Sequence, residues 1–191
     1  MKKYELVYNE ILYSCYELGN RKLTQAYLSK ELEISSSTVY NALKPLREMN
    51  IIRTNPMNFV VLDSYKMLLF WATKRRFVAD IFHKTRAEAS VSEIEKSMPE
   101  EVIFAAFSAF KFRFGEVPAD YSEVYVYSER KWEERFPERK GPPNVIFLKK
   151  EGILEKYGKI TTIAQTFVDL WNINTWYAQE FLKKLEEVVR R

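Results

Sequence analysis

One cysteine and one histidine leave little room for the commonest site chemistries. Cys15 has no partner within the chain, so no internal disulfide staples the fold, which fits a reducing cytoplasm. With His83 as the sole imidazole, a Cys/His zinc site is short of ligands. No spacing pairs His83 with a nucleophilic Ser or Cys, and Cys15 lies on an apolar helical stripe, where a small core residue is expected. Glycine is also scarce, at 5 residues, while aromatics reach 15%, a balance that predicts compact, well-packed layers. No apolar run is long enough to cross a bilayer, and Met1-Lys2-Lys3-Tyr4-Glu5 is not followed by the core of a signal peptide. A membrane role is therefore not expected, and a cytoplasmic location is.

What is present is enough for real cores: 47% of the 191 residues are hydrophobic, which excludes wholesale disorder. The length allows one large domain or two small ones. The net charge of +4 is unevenly placed, with 15 Lys and Arg against 11 Asp and Glu in residues 1–99 and 15 against 15 beyond. The whole positive excess falls in the first half, in agreement with a nucleic-acid contact there. Abundant Lys and Glu with few Gln also suits a thermophilic source.

The most informative stretch is Leu23–Met49. Thr24 is placed to cap one short helix and Ser35 a second, with Leu23 and Leu28 spaced for a hydrophobic staple across the first cap. Val39, Leu43, Leu46 and Met49, with Ala42 beside them, form one apolar stripe along the second helix. Ser36, Ser37, Tyr40, Asn41, Lys44 and Arg47 fall on the other side, and none is acidic or strongly apolar. Hydroxyls, an amide and cations on one helix face can reach base edges and phosphates in a major groove. This is a helix-turn-helix pattern, and the candidate DNA-binding residues are Ser36, Ser37, Thr38, Tyr40, Asn41, Lys44 and Arg47. Pro45 removes a hydrogen bond to Asn41 and predicts a kink beyond the first two turns.

Around this stretch, Tyr4–Leu18 has helical apolar spacing, with Gly19 where a helix stop belongs. Ile51–Thr54 and Phe59–Leu62 flank an Asn-Pro turn and predict a hairpin, from which Arg53 and Asn58 could reach the DNA backbone or minor groove. The run from Ile34 to Leu46, followed by Ile51-Ile52, resembles prokaryotic winged-helix transcriptional regulators over about residues 4–62. It carries Asn50 where many of those proteins place glycine, a mild departure because Asn tolerates the left-handed conformation. The resemblance implies binding to double-stranded DNA, and a homodimer that reads two half-sites.

Ser64 to about Arg86 predicts a longer helix, buried through Tyr65, Leu68, Leu69, Ala72, Phe77 and Ile81 and interrupted by Lys74-Arg75-Arg76. That basic cluster reads as a solvated face first and as a phosphate contact second. A polar stretch ending in Met98-Pro99-Glu100 places a boundary near residues 90–99. The expected organisation is thus a winged helix-turn-helix domain over 1–63, a connecting helix or dimer arm over 64–98, and an α/β domain over 99–191 for partner or ligand binding. The fold class is α+β.

In the second half, strands are expected at Val102–Ala106, Tyr121–Tyr127 and Asn144–Leu148, the last buried on both faces. Helices are expected at Phe107–Phe114, Thr162–Trp171 and Thr175–Val189, the last amphipathic through Trp176, Phe181, Leu182, Leu185 and Val188/Val189. A helical turn is expected at Trp132–Phe136 and a loop at Gly141-Pro142-Pro143. The run Phe104–Phe110, then Gly115, then Tyr121–Tyr127 looks like a worn nucleotidyltransferase core. That resemblance implies a glycine-rich turn and two alternate carboxylates that hold a metal. Here Ala105-Ala106-Phe107 stands in place of paired glycines, and Glu123 and Tyr125 occupy the carboxylate positions, so one carboxylate is left. No catalytic residues, metal or cofactor are therefore assigned.

The order of the two halves, with the segment Ile160–Leu170, is similar to AbiEi-type antitoxins. Such a match implies a DNA-binding repressor of its own operon with a nucleotidyltransferase-type protein partner. Two functions follow: a DNA-binding regulator whose second half dimerises or senses a partner or effector, or a transferase borrowing a carboxylate such as Asp120, Glu116 or Asp169.

Overall fold

The computed structural model describes residues 1–190, which form an α+β structure with two small sheets. Helix α1 (Lys3–Tyr16) buries Val7, Tyr8, Ile11 and Leu12, apolar positions that its periodicity predicts, and Leu6 besides, while Leu18, expected within it, lies beyond its end and is exposed. A two-residue strand β1 (Lys22–Leu23) leads into α2 (Gln25–Glu31) and α3 (Ser36–Glu48). Thr24 and Ser35 cap these helices through hydroxyls that accept from the Tyr27 and Thr38 amides at 3.0 and 3.2 Å. Strands β2 (Ile52–Thr54) and β3 (Phe59–Val61) then form the expected hairpin, with Ile52 opposite Val61 and Thr54 opposite Phe59. The hairpin is not alone, because β1 pairs with β3 and gives a three-stranded sheet in the order β1-β3-β2. Two residues are too few for periodicity to mark β1 as a strand.

Asn50 ends α3 with φ +54°, the left-handed conformation expected for the residue in glycine's place. The Asn50 amide donates to the Arg47 carbonyl and the Ile51 amide to that of Leu46, at 3.0 and 2.9 Å. Helix α4 (Ser64–Lys74) departs from expectation. The helix predicted to run to about Arg86 stops at Lys74, because Arg75 turns extended (ψ 128°) and drives its side chain into the interior. A short helix α5 (Phe77–Asp80) follows, and Ile81–Thr85 is strand β4 rather than helix. Its Ile-Phe-His-Lys-Thr sequence is rich in β-branched and aromatic residues, which suits an edge strand.

The polar stretch expected to be a boundary contains α6 (Val91–Ser97), capped reciprocally by Ser90 and Glu93. Strand β5 (Ile103–Ala105) and helix α7 (Ala106–Phe114) follow, the helix ended by Gly115 at φ +82°. Strands β6 (Val124–Ser128) and β7 (Val145–Lys149) pair in parallel, and the second sheet runs β4-β7-β6-β5. Val145–Leu148 is buried on both faces, as its unbroken apolar run predicts. A 3-10 turn (Gly152–Tyr157) leads to α8 (Ile163–Trp171) and α9 (Trp176–Val189), capped by Thr162 and Thr175. Trp176, expected on the buried face of α9, is instead 72% exposed, since the cap at Thr175 leaves the first turn outside the packed stripe.

One continuous core runs from Leu6 through Trp71 and Phe107 to Val189, taking residues from both sides of the stretch where the boundary was expected but none from within it. Strand β4, upstream of that stretch, belongs to the second sheet, and α1 packs on α3, α4 and α8 alike. A smaller core of Ile94, Met98, Val102, Val124, Phe136 and Phe147 lies beneath α6.

Candidate nucleic-acid interface

Helix α3 turns Val39, Ala42, Leu43 and Leu46 inward and is pinned to α1 by the Tyr8 hydroxyl, which donates to the Ala42 carbonyl at 3.0 Å. That anchoring leaves Ser36, Ser37, Tyr40, Asn41 and Lys44 exposed, with Thr38 and Arg47 half-buried. The turn before it is held by Glu33 at φ +52° and by the Ser29 hydroxyl, which donates to the Ile34 carbonyl at 2.6 Å.

The exposed polar groups are not equally free. The Ser35 hydroxyl lies 2.9 Å from that of Ser37 and 2.8 Å from that of Thr38, so those hydroxyls form a cluster around the cap. Ser36 donates weakly to Ser29 at 3.5 Å. Arg47 folds back over the Tyr40 ring, 4.4 Å from its centroid, and donates to the Tyr40 carbonyl at 3.4 Å. Pro45 lacks the amide that the Asn41 carbonyl would otherwise accept from, yet the helix continues through Pro45 to Glu48. Lys44 is exposed and stands 4.0 Å from Glu48, a pair worth little in water. Among the described residues, the Asn41 carboxamide has no hydrogen-bond partner.

On the hairpin, Arg53 is exposed, opposite Val60. Asn58 is committed to the turn: Asn55 donates to its side-chain oxygen at 3.0 Å and to its carbonyl at 2.7 Å. Its reach toward DNA is correspondingly reduced. The hairpin tip instead exposes Met57, and a 240 Å³ cavity lies between that tip and the start of α2.

The Lys74-Arg75-Arg76 cluster does not act as one face. Arg75 is buried, Lys74 lies over the Tyr4 and Phe70 rings, and Arg76 is exposed. Arg75 meets Glu5 at 3.3 Å, Asp80, Asp169 at 3.7 Å, and the Tyr127 hydroxyl at 3.1 Å. Tyr127 and Gln165 in turn donate to Asp169, at 3.0 and 2.7 Å. Burial pushes the Asp169 carboxyl up to about 7, against the pull of Arg75.

A row of polar side chains on α1 faces the second half of the chain and was not recognised in the sequence. Asn9 accepts from the Thr162 hydroxyl at 2.5 Å. The buried Glu10 carboxylate accepts from Tyr27 and Tyr157 and pairs with Lys156 at 2.7 Å. Glu17 pairs with Arg113 at 2.9 Å and accepts from the Ile163 amide at 2.8 Å, at the start of α8. Glu5, Asn9, Glu10 and Glu17 read locally as a solvated helix side. Only the distant residues Arg75, Arg113, Tyr157 and Thr162 reveal their role.

The transferase-like residues sit in packed surroundings. The turn Ala105-Ala106-Phe107 is buried, with Ala106 at φ +48° in a conformation that favours glycine. The Glu123 carboxylate accepts from the Tyr177 hydroxyl, and the Tyr125 ring packs near Phe77 and Phe107. Asp120 is exposed, Glu116 lines a 330 Å³ cavity with Phe110, Phe114 and Val188, and Asp169 is sealed inside. Among the described residues no three His, Cys, Asp or Glu side chains are grouped to hold a metal, and no helix is long and apolar enough to cross a membrane. Cys15 packs against the core, and burial raises its thiol to about 11, which keeps it protonated. His83 lies on β4 with its ring 5.7 Å from that of Phe147. Comparison with protein-family models, with curated proteins and with solved structures finds no match to this chain.

Proposed function

We propose that the chain is a DNA-binding transcriptional regulator. Its first 63 residues act as a winged helix-turn-helix unit that places α3 in the major groove, with the hairpin β2–β3 as the wing. The observation that carries this reading is the outward side of α3, where Tyr40, Asn41, Lys44 and Arg47 stand together and the first acidic residue is Glu48. A rigid helix offering an amide, a phenol and two cations matches the mixed base-edge and phosphate surface of a duplex. The positive excess of residues 1–99 supports the same surface.

In this reading the second half serves dimerisation or partner and effector binding. The homodimer places two copies of α3 on two half-sites. The polar side of α1 is the means by which a partner on the second half bears on α2, through Glu10 and its partners Tyr27, Tyr157 and Lys156.

The test is duplex binding across a salt series with Lys44→Ala and Arg47→Ala. Each substitution is expected to weaken binding and to flatten the slope of log K against log salt by about 1 per lost phosphate contact. An unchanged affinity and slope in the double variant rejects the assignment.

A further inference from the structure

Resting on the DNA-binding reading, we propose that α3 selects an adenine within an A·T pair, through the Asn41 carboxamide, and that Lys44 and Arg47 hold the phosphates without reading guanine. Guanine is read by Arg or Lys on its O6 and N7, and adenine by Asn or Gln on its N6 and N7. Recognition helices present their N-terminal residues to base edges, so the residue types in the first two turns decide which base is read. Over Ser36–Leu43 the outward face of α3 carries no cation.

The geometry narrows the readers further. Ser37 and Thr38 share their hydroxyls with Ser35, and Ser36 leans on Ser29. Arg47, about three turns beyond the first residues, is drawn back over Tyr40 and toward its carbonyl. Lys44, also exposed, lies just beyond the first two turns. What remains is Asn41, exposed and without a partner among the described residues, one turn beyond Ser37 and three residues before Lys44 on the same stripe. A carboxamide offers one donor edge and one acceptor edge side by side, the complement of adenine's N7 acceptor and N6 donor. Tyr40, 52% exposed, lies on the neighbouring stripe, and its ring is steadied by the Arg47 guanidinium. Its edge is an apolar surface of the kind that meets a thymine methyl.

The experiment uses the full chain. Binding to mixed-sequence duplex at low salt is measured first, followed by selection from a randomised duplex library. Competition then follows between selected duplexes that differ by one A·T→G·C change. The expected result is a half-site with one strongly preferred adenine, whose replacement by guanine weakens binding about tenfold to a hundredfold. Asn41→Ala is expected to abolish that preference while leaving the salt slope unchanged. Asn41→Gln retains it, and Asn41→Arg moves it toward guanine. Duplex binding with no adenine preference, or a preference that survives Asn41→Ala, overturns this inference and leaves the DNA-binding reading standing. No binding to any duplex overturns both. Because Asn41 is exposed, circular dichroism of the variants is expected to match the parent protein.

Discussion

Arg75 carries a single charge into a space shared by three carboxylates, those of Glu5, Asp80 and Asp169. Glu5 and Asp169 are sealed from water, so the guanidinium is what makes their burial tolerable. Arg75→Met is expected to destabilise the fold by about 3–5 kcal/mol, read from urea unfolding, because it strands buried charge rather than merely losing one contact. Asp169 adds a pH dependence of definite sign. Its folded carboxyl titrates near 7, above the ordinary carboxylate value, so between those two values the folded state holds a proton that the unfolded state has released. Its contribution to stability is therefore fully present below the ordinary value and lost as pH rises toward about 7. Asp169→Asn removes that term, so the variant is expected to gain on the parent protein between pH 4 and 7 and no further above it. A stability gap constant across that range refutes the assignment. In the sequence, Arg75 is indistinguishable from Lys74 and Arg76, and Asp169 from any polar helix residue. The partners that define them are remote in the chain, and no local pattern records them.

At the scale of elements, the starts of the two helices of the helix-turn-helix are the most legible features. Thr24 and Ser35 accept from an amide of the first turn, as short hydroxyl side chains before apolar periodicity predict, and Thr162 and Thr175 do the same at the starts of α8 and α9. The left-handed Asn50 was equally legible. Asn50→Val is expected to cost about 1–2 kcal/mol, since a β-branched residue is forced into a conformation that L side chains resist. Asn50→Gly is expected to cost far less, and equal unfolding midpoints for the two variants would contradict this account. The outward stripe of α3 was legible too, but the state of its side chains was not. Residue types do not disclose that Asn55 engages Asn58 or that Arg47 lies over Tyr40. The passage from α4 to β4 is hidden in the sequence because Tyr65, Leu68, Leu69 and Ala72 establish a helical period whose spacing Phe77 and Ile81 continue. The break comes from Arg75 turning inward toward tertiary partners, which overrides periodicity.

For the molecule as a whole, the continuous core and the polar side of α1 predict that both halves unfold together. Far-ultraviolet circular dichroism and fluorescence from Trp71, Trp132, Trp171 and Trp176 are expected to give one coincident urea transition. Two separated midpoints would show that α1 and the second half come apart. The same polar side has a consequence in time. On the ribosome α1 is made early, yet the Thr162 hydroxyl that satisfies Asn9 lies 153 residues later, and the Tyr157 hydroxyl that meets Glu10 lies 147 residues later. At translation speeds of about 5–20 residues per second, the nascent helix waits on the order of ten seconds for them. Until then Asn9 and most of the Glu10 carboxylate are hydrated, and docking α1 on its core neighbours would bury Asn9 without Thr162 and leave Glu10 with Tyr27 alone. Completion of the first helix's surroundings is thereby deferred until α8 has left the exit tunnel.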